Sequence, residues 1–187
     1  MAVSDWLLFL PHLPSSPSSL RVLVWRRMRA AGAVGLQNGV WILPADPDQE
    51  RFLRDLVAEI APQGGNGQIF RATPLQAGAP EDIVERFRAD RDEDYVEFRG
   101  RCADFLAELA RETERRNFTF AELEENEQDL QKLVGWLRKI RARDFFEGRQ
   151  AAPSEEDLAR CQGAFEEFTR AVYARAGLAP PDEDAGA

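Results

Sequence analysis

The dipeptide Asn38-Gly39 constrains this chain more than any other feature of its sequence. It joins two short apolar runs, AVGLQ (33–37) and VWILP (40–44), and it is the pair that most readily forms a two-residue hairpin turn with positive φ at both positions. What lies on either side of the hairpin is helical. Upstream, Leu20, Leu23, Val24, Met28 and Ala31 recur at helical spacing behind Ser18 or Ser19 as cap and stop at Gly32. Downstream, Asp46 caps a helix with Pro47 at its first position and a stripe of Phe52, Leu53, Leu56, Val57 and Ile60, ended by Gly64-Gly65.

Two further strands complete the pattern. WLLFLPHL (6–13) is a short apolar run closed by prolines, and GQIFRATPL (67–75) follows the second helix. The order strand, helix, hairpin, helix, strand predicts a four-stranded antiparallel sheet with both helices on one face, a ferredoxin-like α+β domain over residues 5–76.

Strand character disappears after QAGAP (76–80). Pro80 opens a helical region in which Tyr95, Phe98, Cys102, Phe105 and Leu109 keep a three-four rhythm, with the charges of FRADRDEDY on its solvated side. Thr119 and Glu122 form a capping box before Leu123, Leu130, Leu133, Leu137 and Ile140. Ser154 opens a third helix carrying Leu158, Cys161, Phe165, Phe168 and Val172. The expectation is an antiparallel bundle of about three helices over 80–178, followed by a disordered tail, 179–187.

Several function classes are excluded on composition. No run approaches the length of a membrane span, and the opening MAVSDWLLFLPHLP lacks a basic start and a small-residue cleavage site, so the chain reads as cytoplasmic. Cys102 and Cys161 form no CxxC pair and His12 is the sole histidine; the expectation is two reduced, buried thiols, no metal site and no cofactor. There is no GxSxG, Walker or dinucleotide glycine pattern, and no catalytic residue is assigned.

Charge is distributed unevenly. The net value is −9, yet residues 1–76 hold seven arginines against six acids, leaving 17 basic and 27 acidic residues for the remainder. Any polyanion therefore meets the first half. On a helical wheel Arg27 falls inside the apolar stripe, whereas Arg21, Arg26 and Arg29 point away from it. A guanidinium there needs a partner. It either pairs with a carboxylate or with carbonyls at a helix end, or shares an oxyanion with Arg71 of the last strand. A second basic cluster, Arg138, Lys139, Arg141 and Arg143, lies near a helix C-terminus, where it suits the dipole or contacts a DNA backbone. Trp25 and Trp41 are expected to fill the core or a domain interface.

The stretch SSLRVLVWRRMRAAGAVGLQNGVWILP, followed by an amphipathic helix and IFRATPL, resembles the N-terminal domain of the ChrB family of chromate-resistance regulatory proteins. FTFAELEENEQDLQKLVGWLRKIRARDFF resembles the helical segment of the same family, so the likeness covers most of residues 5–175. The first motif is more loosely similar to the central ferredoxin-like domain of PaaX-type repressors and to the small endoribonuclease of CRISPR spacer acquisition. The resemblance implies a regulator that holds promoter DNA until chromate appears. Longer family members continue into a second domain, and no helix-turn-helix with a basic recognition helix precedes Trp6. Where the nuclease relative closes its first strand with an aspartate, this strand runs into Leu10, Pro11 and His12.

The leading expectation is a non-enzymatic, homodimeric regulator that contacts promoter DNA, or chromate or sulfate, through Arg21, Arg26, Arg27, Arg29 and Arg71, with Arg138, Lys139, Arg141 and Arg143 as a second set. The alternative is a protein-interaction or assembly module in which the arginines are structural. A metal-dependent nuclease-like protein comes third.

Overall fold

The computed structural model describes residues 5–180 except 17, 38 and 77. The elements run β1 (Trp6–His12), α1 (Ser19–Ala30), β2 (Val34–Gln37), β3 (Val40–Pro44), α2 (Pro47–Ile60), a 3-10 turn (Ala61–Gln63), β4 (Asn66–Ala72), α3 (Ala79–Glu114), α4 (Phe120–Arg141) and α5 (Ala151–Ala176). All four strands join one sheet in the order β2-β3-β1-β4, with every pairing antiparallel. This is the ferredoxin-like α+β arrangement that the element order predicts, followed by helices. Asn38 lies outside the described residues, so the turn itself is seen only through Gly39, whose φ is 76°, and through Val34 facing Ile42 across the hairpin.

Register sorts the sheet residues onto two faces. Leu7 and Phe9 of β1 lie opposite Leu43 and Trp41 on β3 and opposite Arg71 and Ile69 on β4. This face packs under α1 and α2, in a core that includes Leu20, Val24, Met28, Leu53, Leu56 and Ile60. Phe9 is fully buried, worth roughly 2 kcal/mol in apolar burial. Its ring occupies the space over Gly67, where an added Cβ would lie 2.3 Å from Phe9 Cε2. Asp46 caps α2 by accepting from the N–H groups of Asp48 and Gln49. Ser18 does not cap α1: it is helical itself, and its side chain makes no capping hydrogen bond. α1 closes instead at its far end, where Gly32 takes φ 78° and Ala33 N–H bonds the Met28 carbonyl at 3.0 Å.

The other sheet face is covered too. Trp6, Val34 and Ile42 share a core with Phe87, and Ile83, Val84, Phe145 and Phe146 pack against it. The Trp6 and Phe87 rings stack at 5.8 Å and 20°, and Phe146 meets Phe87 edge-on at 5.2 Å. The start of α3 therefore belongs with the sheet. The chain divides into two compact units, the first running to Arg91 and taking in Arg143–Gly148, the second running from Asp92 to Ala142 and resuming at Arg149. This division differs from the boundary expected at 76–80, because the apolar residues of the first turns of α3 are needed to bury Trp6 and Ile42.

The second unit contains the rest of α3 with α4 and α5. Its core comprises the expected stripes, among them Tyr95, Phe98, Phe105, Leu130, Leu137, Ile140, Phe168 and Val172. Thr119 caps α4 by accepting from Glu122 N–H at 3.2 Å, while its own N–H bonds the Asn117 carbonyl at 3.1 Å, so that part of the capping box is met by backbone. α5 begins three residues before the expected Ser154, since Pro153 is tolerated in a first helical turn; Ser154 Oγ then donates to the Gln150 carbonyl. Residues 181–187 of the expected tail lie outside the described residues. Among the described residues no helix is long and apolar enough to cross a membrane.

Candidate anion and DNA contact residues

α1 carries four of the arginines singled out in the sequence, and three of them are held by their own unit. Arg27 is exposed rather than set in the apolar stripe. Its side chain is 52% accessible, and Nη2 donates to both carboxylate oxygens of Glu59 on α2 at 2.9 Å. Its neighbours Leu20, Leu23 and Ala31 belong to the stripe, and the length of the side chain carries the guanidinium out to Glu59 on α2. Arg29 pairs with Asp90 of α3, whose carboxylate also accepts from Arg91 Nη2 at 2.8 Å. Arg21 donates to the Ser15 carbonyl at 2.9 Å. Arg26 is exposed and makes no ion pair among the described residues.

Arg71 stands on β4, on the face shared with Leu7. It pairs with Glu50 in the first turn of α2 and reaches Asp5 at 3.8 Å; Arg54 approaches Glu50 at 3.9 Å. Glu50 and Glu59 are nine residues apart on α2, about 13 Å along its axis. Arg27 and Arg71 are thus tied to opposite ends of one helix and do not converge on a common point. The hollow lined by Leu7, Glu50, Arg54, Ile69 and Arg71 holds one carboxylate among its two guanidinium groups.

The second basic cluster is divided between the units. Arg141 is paired with Glu155 of α5. Arg138 and Lys139 lie exposed in the last turn of α4, where cations complement the helix dipole, and neither makes an ion pair among the described residues. Arg143 belongs to the first unit, where its main chain packs on Gly32.

Three charged residues not singled out in the sequence, Arg91, Glu112 and Asp157, are buried. Arg91 is only 2% exposed, although it sits in the run FRADRDEDY expected on the solvated side. The signal was available: Arg91 fills the missing step in the rhythm Phe87, Tyr95, Phe98. Trp25 departs from expectation in the other direction, being 54% exposed beside Val22 at 42% on the outer face of α1. Trp41 is half-buried against the α1/α2 core. Among the described residues no group of three His, Cys, Asp or Glu side chains is placed to hold a metal ion.

In the second unit Asp157 of α5 is nearly buried and accepts from Arg99 Nε of α3 at 2.7 Å and from Arg160. Burial pushes its carboxyl upward, and the hydrogen bonds from Arg99 and Arg160 outweigh that and hold it below the usual carboxylate range.

Against this geometry, the family model for "Protein ChrB, N-terminal" matches residues 21–178. The chain belongs to the ChrB N-terminal family. The ChrB protein of Cupriavidus metallidurans is 30% identical over 93 residues, a stretch that covers 50% of this chain and 28% of that protein. An uncharacterized protein of Mycobacterium tuberculosis aligns over 93% of this chain and 62% of its own, at 14% identity and a TM-score of 0.40.

Proposed function

We propose that this ChrB-family chain is a non-enzymatic regulatory protein of chromate resistance, cytoplasmic and homodimeric, that binds promoter DNA and releases it in response to the oxyanion. The observation that carries the reading is family membership across residues 21–178. The ion pairs support a narrower set of contact residues. Arg27, Arg29, Arg71 and Arg141 are engaged by Glu59, Asp90, Glu50 and Glu155, so the phosphate contacts fall to Arg26 in the first unit and to Arg138 and Lys139 in the second. A net charge of −9 keeps non-specific DNA binding weak and leaves local cations to do the positioning. The test is a mobility-shift titration of the DNA upstream of the chain's own gene at about 50 mM salt, with and without chromate, using sulfate as the comparison anion. A complex that chromate dissolves is expected; no complex at low salt removes DNA binding.

A second reading is supported by Trp25 and Val22, which present an apolar spot on α1, the helix on which Arg27 and Arg29 are already paired with carboxylates. In that reading the chain is a protein-interaction module without DNA binding. Affinity capture that recovers one defined protein, lost on Trp25→Ala, while the DNA shift stays absent, decides for it.

A further inference from the structure

We propose that Cys102 and Cys161 form an oxidation site, at which a hydroperoxide converts the two thiols into a disulfide joining α3 to α5. They are the chain's two cysteines, so each has one intrachain partner. Both are free thiols within one core cluster, 1% and 0% exposed. Cys161 Sγ donates to the main-chain carbonyl of Cys102 at 3.6 Å, which puts one sulfur against the other cysteine's backbone. The neighbouring Cys161 thiol and burial push Cys102 up, while Cys102 in turn draws Cys161 down. The Cys161 sulfur on α5, held 3.6 Å from the Cys102 carbonyl oxygen on α3, brings the two side chains near one another, and a disulfide forms when their Cβ atoms face one another at short range.

The surroundings single out this pair further. Arg99 lies one turn before Cys102 and bonds Asp157 at 2.7 Å, and Asp157 lies one turn before Cys161 and also accepts from Arg160. An ion-paired clasp between α3 and α5 therefore lies about one helical turn from each thiol. Arg99 is 38% exposed and Arg160 67%, while Asp157 is 9% exposed, so the clasp runs from solvent to a nearly buried carboxylate beside the dithiol. Burial of both thiols favours a small oxidant over a bulky one and makes the reaction slow compared with that of an exposed thiolate.

The chemistry balances with hydrogen peroxide as the oxidant. One cysteine, losing its proton, attacks the peroxide; an S–O bond forms as the O–O bond breaks, giving a sulfenic acid and one water. The second thiol then attacks that sulfur, the S–S bond forms as the S–O bond breaks, and a second water leaves with the remaining proton. Two electrons pass from the sulfurs to the peroxide.

The experiment uses the whole chain, freed of reductant, exposed to hydrogen peroxide, then denatured in N-ethylmaleimide and analysed by intact mass and peptide mapping. The expected result is a species that has lost two hydrogens, takes no maleimide, yields a linked peptide containing Cys102 and Cys161, and recovers two maleimide adducts after dithiothreitol. Asp157→Asn, which loosens the clasp, is expected to speed its formation several-fold, and Cys102→Ser to abolish the linked peptide. The oxidised chain should melt above the reduced one. Two alkylatable thiols after exposure, separate sulfinic acids on each cysteine, or disulfides formed only between molecules would each overturn the proposal.

Discussion

Arg27 on α1 and Glu59 on α2 are joined through a single guanidinium nitrogen that donates to both carboxylate oxygens at 2.9 Å. The pair decides how the arginines of α1 are to be understood, because it places a carboxylate where an oxyanion was expected to sit. With side chains 52% and 36% accessible, it is a solvated pair. Its coupling energy in a double-mutant cycle of Arg27→Ala and Glu59→Gln should be about 0.5 kcal/mol and should shrink as salt is raised. Urea unfolding of the four proteins measures it, and a coupling above about 2 kcal/mol would mean that the pair is far less solvated than its exposure indicates.

Phe87 tests whether the start of α3 is part of the sheet unit. It is 1% exposed and stacked on Trp6, so Phe87→Ala should cost about 3–5 kcal/mol. Phe70, on the same side of the sheet but 48% exposed, should cost less than about 1 kcal/mol when changed to Ala. A fragment ending at residue 76 leaves Trp6, Val34 and Ile42 uncovered, and it is expected to bind a hydrophobic dye and aggregate rather than fold as a stable domain.

Gly32 and Gly39 both have positive φ, 78° and 76°, but their surroundings differ. A Cβ at Gly32 would lie 2.7 Å from Arg143 Cβ and 2.9 Å from the Arg143 carbonyl oxygen, whereas nothing lies within 4 Å at Gly39. Gly39→Ala should therefore cost the left-handed backbone strain alone, about 1 kcal/mol. Gly32→Ala should cost clearly more, since main chain must also move. Equal losses in thermal unfolding would argue against the packing of residues 143–148 on the end of α1.

Asp157 gives the second unit an acid-dependent contribution. Its folded pKa lies below the ordinary value of 3.8, so the stabilisation is fully present above that value and is lost as pH falls through the folded pKa. Asp157→Asn should destabilise by about 1–3 kcal/mol near neutral pH, because Arg99 and Arg160 lose a charged partner. That difference should stay constant down to about pH 5 and narrow below about pH 4. Unfolding curves for both proteins across pH 2–7 test the sign.

Much of the scaffold was legible because local signals agreed with one another. Asn38-Gly39, the Asp46-Pro47 start and the Thr119 cap each name an element boundary, and their order leaves one economical sheet topology. What was not legible depends on contacts between distant residues. The helical wheel put Arg27 among leucines but could not show that Glu59 waits at the rim. Phe145 and Phe146 return to the sheet unit only after two intervening helical stretches, which no window of sequence can reveal. Arg91 was misplaced because a charge-rich run was read by composition, when its spacing from Phe87 and Tyr95 already put it on the apolar side. Cys102 and Cys161, 59 positions apart, carried no spacing signal, although each stood at a core position of its own helix.

The central claim is that the ion-paired arginines are structural and that Arg26, Arg138 and Lys139 contact the DNA. The salt dependence of promoter-fragment binding, followed by fluorescence anisotropy, tests it most directly. Replacing those three by alanine should flatten the slope of log K against log salt by about 2 to 3, while Arg27→Ala with Arg71→Ala should leave the slope unchanged. A slope that falls with the Arg27 and Arg71 pair and is untouched by the triple replacement would contradict the account, as would the absence of any binding by the unaltered chain.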